Sequence, residues 1–227
     1  MKKLYRIFIL LLATIFLTTF NPKDSEVILY KNNNFFKIQN IKILNNSLIK
    51  TKDINEKLTN IYGKNLLLIK ANEIKIPLKT IDFLKKIEVK KKYPNTIIIN
   101  VYETKPVAIL FKKNKRYYLD SESNIIPFKE NITFNNLPNI FGDEGEKDFI
   151  YFFNKLKDKE FPIEQIKNFY YFQIGRWDIE LFNNKLIKFP PNKMTKAIQH
   201  SIKLLNREDF KNYNIIDLRI HGKIVVE

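Results

Sequence analysis

The side chains best suited to acid–base chemistry are few in this sequence, and their positions favour a structural role. Asp120 and Glu122 stand two residues apart and could serve as a general acid and a general base. Both fall between short apolar runs, where an aspartate typically organises a turn, so we interpret them as turn residues. His200 lies on the polar side of a predicted helix and His221 in a predicted turn, with no nucleophile or carboxylate pattern beside either.

The composition excludes several other kinds of site. The chain has no cysteine, which removes disulfides, thiolate metal ligands and cysteine nucleophiles. Its five glycines form no glycine-rich phosphate loop, and no histidine or carboxylate spacing is typical of a metal site. We therefore predict a protein that is not an enzyme, with no cofactor, no metal and no small-molecule substrate.

A formal net charge of +16 allows three interpretations: binding to nucleic acid, affinity for an anionic membrane surface, or a lysine-rich solvated surface. The lysines are spread along the whole chain, which favours the solvated surface. One local group could also contact acidic lipid headgroups or an acidic partner. It consists of Lys85, Lys86, Lys90, Lys91 and Lys92.

The amino-terminal segment has the pattern of a membrane anchor. Three basic residues within the first six positions precede an almost uninterrupted apolar run from Ile7 to Phe20. About 17 residues can suffice to cross a bilayer, so we predict a transmembrane anchor over residues 7–21. A cleaved signal peptide has a similar apolar length, but the run lacks the small-residue pattern of a cleavage site. The basic flank predicts that residues 1–6 are cytoplasmic and that the remainder lies outside the cytoplasm.

Residues 34–104 carry the pattern of a small α+β domain, in the order strand, helix, helix, strand, strand. Alternating apolar residues over 36–43 predict a first strand with a bulge at Gln39-Asn40. One helix is predicted from Thr51 to Gly63, and a second is predicted to begin after Pro77. Two amphipathic helices would then cover one face of a three-stranded sheet.

The last two strands of this domain form a predicted hairpin. Branched residues alternate on both sides of Pro94-Asn95, with Ile97, Ile99 and Val101 on one face of the second strand. An apolar run restarts after Pro106. Because proline cannot donate to a β-ladder, we interpret Pro106 as the bend where a second domain begins.

Residues 107–227 alternate short strands with turn signals, which predicts a mostly antiparallel β domain with helices. Helices are predicted over residues 148–156 and 193–206, and the apolar stripe on each is typical of a core-facing surface. A last strand is predicted from Ile220 to Glu227. The predicted fold class is therefore α+β, with a single N-terminal transmembrane helix, a β-α-α-β-β domain and this β domain.

Several stretches resemble the FtsQ/DivIB family of bacterial cell-division proteins. Residues Phe36 to Asn45, followed by Tyr62 to Leu66, resemble the opening of that family's POTRA domain, and Ile87 to Ala108, with its basic run before Tyr93, resembles its end. The Ile216-Asp217-Leu218-Arg219 strand, followed by a glycine turn and a final apolar strand, resembles the family's carboxy-terminal signature. The resemblance covers nearly the whole chain.

The resemblance implies an essential bitopic scaffold of the divisome, which recruits and links early and late division proteins at the septum. Its expected location is the inner membrane, as a single-pass protein with most of its mass in the periplasm. The expected partners are FtsB and FtsL, single-span proteins with extracytoplasmic coiled coils. The expected partner-binding residues are Arg219, Ile220, Gly222, Lys223, Ile224, Val225 and Val226. The final strand is expected at a sheet edge, where it would pair with the partner, unless it is an ordinary buried strand.

Two other functions stay open at this point. The chain could be a POTRA-containing module of an envelope assembly or transport system, although one POTRA pattern is present and no second copy follows it. It could also be a secreted basic protein that binds nucleic acid or an anionic polymer. The predicted topology disfavours that function, since it places the basic domains across the membrane from the chromosome.

Overall fold

The computed structural model describes residues 2–19, 36–220 and 222–227. Its first element is helix α1 (Lys2–Thr19), whose large apolar side chains, such as Ile7 and Leu17, are exposed. No helix within the described ranges is long and apolar enough to cross a membrane. The predicted transmembrane span over residues 7–21 is therefore not confirmed, and its last two positions lie outside the described residues.

The described chain divides into two compact units, which are interleaved in sequence. The first unit draws on Met1–Asn45, Thr51–Lys79 and Ile87–Val101. The second unit draws on Asn46–Lys50, Thr80–Lys86 and Tyr102–Glu227.

A three-stranded sheet and two short helices occupy the amino-terminal half. The elements are β1 (Asn40–Leu44), α2 (Thr51–Lys57), a 3-10 turn (Thr59–Ile61), α3 (Ala71–Leu78), β2 (Leu84–Lys92) and β3 (Thr96–Glu103). The strand order is β1-β3-β2, and β1 runs parallel to β3 with Ile41 opposite Ile97. This is the predicted order of strand, helix, helix, strand, strand. The predicted inward row of β3 is also confirmed, because Ile97, Ile99 and Val101 are all buried.

The prediction for the second helix is wrong. Helix α3 ends at Leu78, next to Pro77, whereas the sequence pattern predicted a helix beginning after that proline. A proline beyond the first turn lacks the N–H donor that a helix needs and disfavours its continuation, which accounts for the end of α3 one residue after Pro77. At its start α3 is closed by the Glu73 carboxylate, which accepts from the Lys70 amide at 3.0 Å. Phe83 then adopts a left-handed φ of 64° before β2 begins. Lys85 and Lys86 consequently lie on β2.

The first strand is also shorter than the pattern indicated. Residues 36–38 precede β1, and only Lys37 among them pairs, through an isolated bridge with Asn65. The amides of Gln39 and Asn40 both donate to the carbonyl oxygen of Asn95, at 3.0 and 3.3 Å. The change of phase at these two residues therefore marks the beginning of β1.

The second unit is built on a nine-stranded mixed sheet. Its elements are β4 (Pro106–Lys112), β5 (Lys115–Asp120), β6 (Ile125–Pro127), β7 (Asn139–Phe141), α4 (Gly145–Asp158), β8 (Ile166–Phe172), β9 (Arg176–Leu181), β10 (Leu186–Lys188), α5 (Met194–Leu205), β11 (Ile215–Asp217) and β12 (Val225–Val226). The strand order is β12-β11-β10-β9-β8-β7-β4-β5-β6. The pairs β4–β7, β7–β8 and β10–β11 are parallel, and the other pairs are antiparallel, as predicted for most of the domain.

One face of this sheet is covered by the apolar stripes of α4 and α5. A single row of fully buried side chains crosses six paired strands: Leu110, Ile140, Phe169, Ile179, Ile187 and Ile216. Phe149 and Phe152 of α4 and Ile198 of α5 belong to the same core cluster. The ring of Phe152 stacks on that of Trp177 with centroids 5.3 Å apart. The core-facing stripe that the sequence predicts on the helix over residues 148–156 is thus confirmed on α4.

Candidate functional site

The carboxyl-terminal strand β12 lies at one edge of the nine-stranded sheet. It pairs antiparallel with β11, with Val226 opposite Ile216 and Val225 opposite Asp217. Glu227 extends the pairing, because its amide donates to the carbonyl of Ile215 at 3.2 Å and its own carbonyl accepts from the Ile215 amide at 3.0 Å. The structure therefore places the predicted final strand at an edge. The strand is shorter than predicted, since only two residues of the 220–227 segment form it.

The pairing pattern determines which backbone groups of β12 face outward. Glu227 and Ile215 exchange both of their hydrogen bonds, so they form a hydrogen-bonded pair of the antiparallel ladder. Adjacent pairs alternate, which makes Val226 and Ile216 a non-hydrogen-bonded pair. The N–H and C=O of Val226 consequently point away from β11, toward the open side of the sheet. An incoming extended chain could pair with these groups.

A tight turn precedes β12 and shortens it. The amide of Lys223 donates to the carbonyl of Ile220 at 3.1 Å, and this hydrogen bond closes the turn. Gly222 within this turn has a φ of 75°, a conformation that favours glycine. After the turn, Ile224 and Val225 leave large parts of their side chains exposed, as does Ile220 before it. His221 lies outside the described residues.

A groove of about 440 Å³ separates the carboxyl-terminal segment from α5. Its apolar lining includes Pro190, Leu218, Ile220 and Ile224. Its basic residues are Lys193, Lys196, Arg219 and Lys223, with His200 beside them. No acidic side chain lines the groove among the residues that the structure describes. The groove is therefore an apolar depression with a positively charged rim, next to the open edge of β12.

Arg219 is held in place by a carboxylate two residues earlier. Its Nε donates to both oxygens of Asp217, at 2.9 and 2.8 Å, and its backbone amide donates to Oδ1 at 3.0 Å. Burial by itself raises the pKa of the Asp217 carboxyl, but the hydrogen bonds from Arg219 outweigh it, so the pKa lies below its ordinary value. The same ion pair raises the pKa of the Arg219 guanidinium. Arg219 is thus a fixed cation at the rim of the groove.

A second carboxylate, that of Asp178, lies on the same sheet face, and its pKa is shifted upward, opposite to that of Asp217. Asp178 is 4% exposed, and its Oδ1 stands 3.3 Å from Nε of Arg176 without hydrogen-bond geometry. Burial raises the pKa of Asp178, and the nearby charges of Arg176, Arg219 and Lys188 offset this only in part. The register places Lys188 between Asp178 and Asp217. This row of charges forms the face of β9, β10 and β11 that the helices leave uncovered.

Lys185 anchors the loop that precedes β11, the strand on which β12 pairs. Its side chain is buried, and its ammonium group donates to the carbonyl oxygens of Phe210, at 2.9 Å, and of Tyr213. Burial lowers the pKa of this lysine. Asn214, which follows Tyr213 in the sequence, donates its amide to the carbonyl of Glu227 at 2.7 Å. Lys185 therefore fixes the loop that leads into β11 and positions the residue that pairs with the end of the chain.

The hypothetical acid–base pair turns out to organise a turn. Oδ1 of Asp120 accepts from the amides of Glu122 and Asn124, at 2.9 and 2.8 Å, and Oδ2 accepts from the hydroxyl of Thr104 at 2.9 Å. Burial raises the pKa of Asp120, but these hydrogen bonds outweigh it and lower the pKa overall. Glu122 instead pairs with Lys85, at 2.6 Å. Within the described ranges, no three histidine or acidic side chains are grouped as a metal site would need.

The structure brings the seven predicted partner-binding residues together at one end of the sheet. Five of them line the groove: Arg219, Ile220, Gly222, Lys223 and Ile224. Val225 and Val226 form the edge strand itself. The sequence reasoning missed the opposite wall, which Lys196 and His200 of α5 supply together with Lys193, the residue before that helix. Lys196 and His200 are four residues apart and therefore lie on one helix face, which is the signal that could have identified them.

Comparisons with known proteins match both halves of the chain. Residues 36–104 match the family described as POTRA domain, FtsQ-type, and residues 108–219 match the family described as Cell division protein FtsQ/DivIB, C-terminal. Cell division protein FtsQ of Rickettsia conorii is 27% identical over 202 residues, which cover 85% of this chain and 72% of the relative. The FtsQ protein of Rickettsia bellii is 26% identical over 202 residues, with the same shares.

A more distant relative carries the other name of the family. Cell division protein DivIB of Clostridium acetobutylicum is 26% identical over 108 residues, which cover 48% of this chain and 43% of the relative. The two family matches follow one another along the chain, in the order that the sequence pattern predicted. The chain belongs to the FtsQ/DivIB family of cell division proteins.

Proposed function

We propose that this protein is an essential divisome scaffold that links early and late division proteins through contacts outside the cytoplasm. The observation that carries the proposal is the open, apolar edge of β12 beside a basic groove, in a chain of a cell-division family. The proposed division of the chain is a cytoplasmic start at residues 1–6, an anchor at 7–21, a POTRA domain at 34–104 and a β domain at 107–227. No step of catalysis is assigned to it.

The proposed location is the inner membrane, in single-pass type II topology, with enrichment at the septum. Support comes from the basic residues at the start of the chain and the exposed apolar side chains of α1. The absence of native cysteine allows a direct test. A cysteine introduced at the exposed Lys52 should react with a membrane-impermeant maleimide added to spheroplasts, and the protein should resist extraction with carbonate. Protection of that cysteine until lysis, or release into the soluble fraction, would contradict the topology.

The proposed partner contact is β-augmentation at β12. An extended segment of a single-span division protein, of the FtsB or FtsL kind, would pair with the outward N–H and C=O of Val226. Side chains flanking that segment would contact Ile220, Ile224 and Val225, whose apolar surface is exposed in the isolated chain. Arg219 and Lys223 would meet acidic groups of the partner. The same arrangement would explain why apolar residues stand open at an edge, where natural proteins usually place charges.

The edge can be disrupted without touching the core. In the double variant Gly222→Pro with Ile224→Glu, proline cannot adopt the positive φ of the turn, and the glutamate places a charge on the exposed apolar surface. We expect loss of partner co-purification with the far-ultraviolet circular dichroism unchanged. Ile125→Glu is a matched control, since Ile125 is equally exposed on β6, at the opposite edge of the same sheet. If the folded double variant still co-purified with the partner at the normal level, the edge of β12 would not be the binding site.

The cellular role is tested by localisation together with depletion. A fusion of the full-length chain to a fluorophore that matures in the periplasm should form a band at mid-cell, and cells depleted of the protein should grow as filaments. A uniform envelope signal with normal division would contradict the divisome function. That outcome would favour an envelope assembly or transport module instead.

A further inference from the structure

One end of the first unit exposes large apolar side chains that belong to no described core. Leu67 and Leu68 lie in the loop before α3 and are 37% and 66% exposed, and Tyr93 at the β2–β3 turn is 54% exposed. Single exposed apolar residues are ordinary, but a group of them beside charges marks an interaction surface. We name this group, together with Lys91 and Lys92, the leucine–lysine tip.

Contacts on the described residues bring the members of the tip together. Nζ of Lys91 donates to the carbonyl of Leu67 at 2.9 Å, which fixes the loop against the end of β2. The amide of Leu66 donates to the carbonyl of Phe36 at 2.8 Å, and the ring of Phe36 meets that of Tyr93 with centroids 6.2 Å apart. The loop and the turn are therefore one surface, although they are more than twenty residues apart in sequence.

The tip is also basic. Lys90, Lys91 and Lys92 follow one another at the end of β2, and all three are exposed. Glu73 at the start of α3 is paired with Lys64 at 2.8 Å. Within the part of the chain that the structure describes, no carboxylate forms an ion pair with Lys90, Lys91 or Lys92, so their charges stand beside exposed leucine and tyrosine side chains. Tyrosine and leucine beside lysine are the residues that enter the headgroup region of a bilayer, where the apolar part is buried and the cation meets phosphate.

The tip lies at the end of the sheet where the described chain resumes after α1. Phe36, the first residue described there, contacts Tyr93 of the tip through its ring, and its carbonyl accepts from the amide of Leu66, the residue before Leu67. The opposite end of the sheet is marked by Leu44, because β1 runs from Asn40 beside Thr96 to Leu44 beside Asn100. Leu44 is likewise exposed, which makes it a matched reference point at the far end.

We propose that the leucine–lysine tip docks on the surface of an anionic lipid bilayer. Leu67, Leu68 and Tyr93 would enter the interface, and Lys91 and Lys92 would lie among the anionic headgroups. The positive charge of the tip is what selects this occupant over a neutral membrane. The proposal does not depend on β12, since it concerns a different surface and a different ligand. Its failure would leave the partner-docking edge untouched.

The test uses the full chain reconstituted in vesicles. Because the protein has no cysteine, Leu68→Cys and Leu44→Cys each provide one site for an environment-sensitive fluorophore. One set of vesicles contains phosphatidylethanolamine and phosphatidylglycerol, and the other contains phosphatidylcholine alone. Lipids with a nitroxide on the acyl chain quench a fluorophore that enters the interface.

We expect at least a twofold excess of quenching at position 68 over position 44 in the anionic vesicles, and a marked decrease in phosphatidylcholine or at high salt. Lys91→Glu with Lys92→Glu should lower the ratio of docked to undocked tip by roughly tenfold or more, since each lysine near an anionic surface contributes substantially to attraction. Lys52→Glu with Lys57→Glu on α2 is the matched control and should have no effect. Equal quenching at both positions in the anionic vesicles would overturn the proposal. So would shielding of position 68 that appears only when an acidic protein is added.

Discussion

Gly142 provides a direct test of how β7 and β8 are packed. It follows β7 with a φ of 112°, and a Cβ added there would stand 2.2 Å from the carbonyl oxygen of Tyr171 and 3.0 Å from its carbonyl carbon. Because both atoms belong to the backbone of β8, no side-chain rotation can relieve the contact. Gly142→Ala must therefore displace a strand whose neighbouring residue, Tyr170, is paired with Phe141.

The expected loss has two parts. A left-handed backbone at a residue other than glycine costs about 1–2 kcal/mol, and overpacking against a rigid element costs about 1–3 kcal/mol more. Gly142→Ala should therefore lower the free energy of unfolding by about 2–5 kcal/mol, a large share of the roughly 5–15 kcal/mol of a typical domain. With a urea m-value near 2 kcal/mol/M, the midpoint should fall by about 1–2.5 M.

Urea unfolding followed by tryptophan fluorescence measures this loss in the second unit, because the single tryptophan, Trp177, is fully buried there. Gly222→Ala is the matched control. Its φ of 75° is also left-handed, but a Cβ there meets nothing within 4 Å. The control should lose only about 1–2 kcal/mol, the backbone part of the cost. Equal losses for the two variants would refute the close approach of β8 to Gly142.

Three further predictions concern the site. Lys185→Met should lower the free energy of unfolding by about 2–3 kcal/mol in the same urea assay, because the carbonyls of Phe210, Lys211 and Tyr213 lose a charged donor. A loss below about 0.5 kcal/mol would show that the contacts do not form. Asp178→Asn should stabilise the second unit at pH 7.5. Because the folded-state pKa of Asp178 is raised, its ionisation opposes folding at neutral pH, and this penalty disappears as the pH falls through that pKa. The difference from the parent protein should therefore shrink at pH 4, and a constant difference would contradict the assignment. Lys193→Glu with Lys196→Glu should weaken partner binding by more than roughly tenfold at low salt, because the charge at the groove rim is reversed. Calorimetry measures the affinity, and an unchanged value would exclude α5 from the interface.

The fold could be predicted where hydrophobic periodicity is long and regular. The inward row of β3 and the stripe of Phe149 and Phe152 on α4 follow directly from spacings of two and of three to four residues. The sequence predicts a helix after Pro77 and not α3, because Leu78, Ile81, Phe83 and Leu84 also fit a helical spacing. The structure instead uses a left-handed Phe83 to start a strand, and a single backbone angle of this kind leaves no periodic signal.

The candidate site could be predicted only on one side. Residues 219–226 are identified by their resemblance to the family's carboxy-terminal signature and by their place at the end of the chain. The wall that Lys193 and Lys196 supply depends on the packing of α5 beside the carboxyl-terminal segment, which no local pattern specifies. The short length of β12 depends on the hydrogen bond from the Lys223 amide to the Ile220 carbonyl, since it closes a turn with residues that could otherwise extend the ladder.

Amide hydrogen exchange at Val226 tests the docking edge most directly. The amide of Ile215 already donates to Glu227, so it should be protected with or without the partner. The amide of Val226 points outward and should exchange rapidly in the free protein. On addition of the partner's extracytoplasmic segment, β-augmentation predicts that its exchange slows by at least an order of magnitude, while that of Ile215 changes little. A stable complex in which Val226 still exchanges at the free rate would show that the partner binds elsewhere.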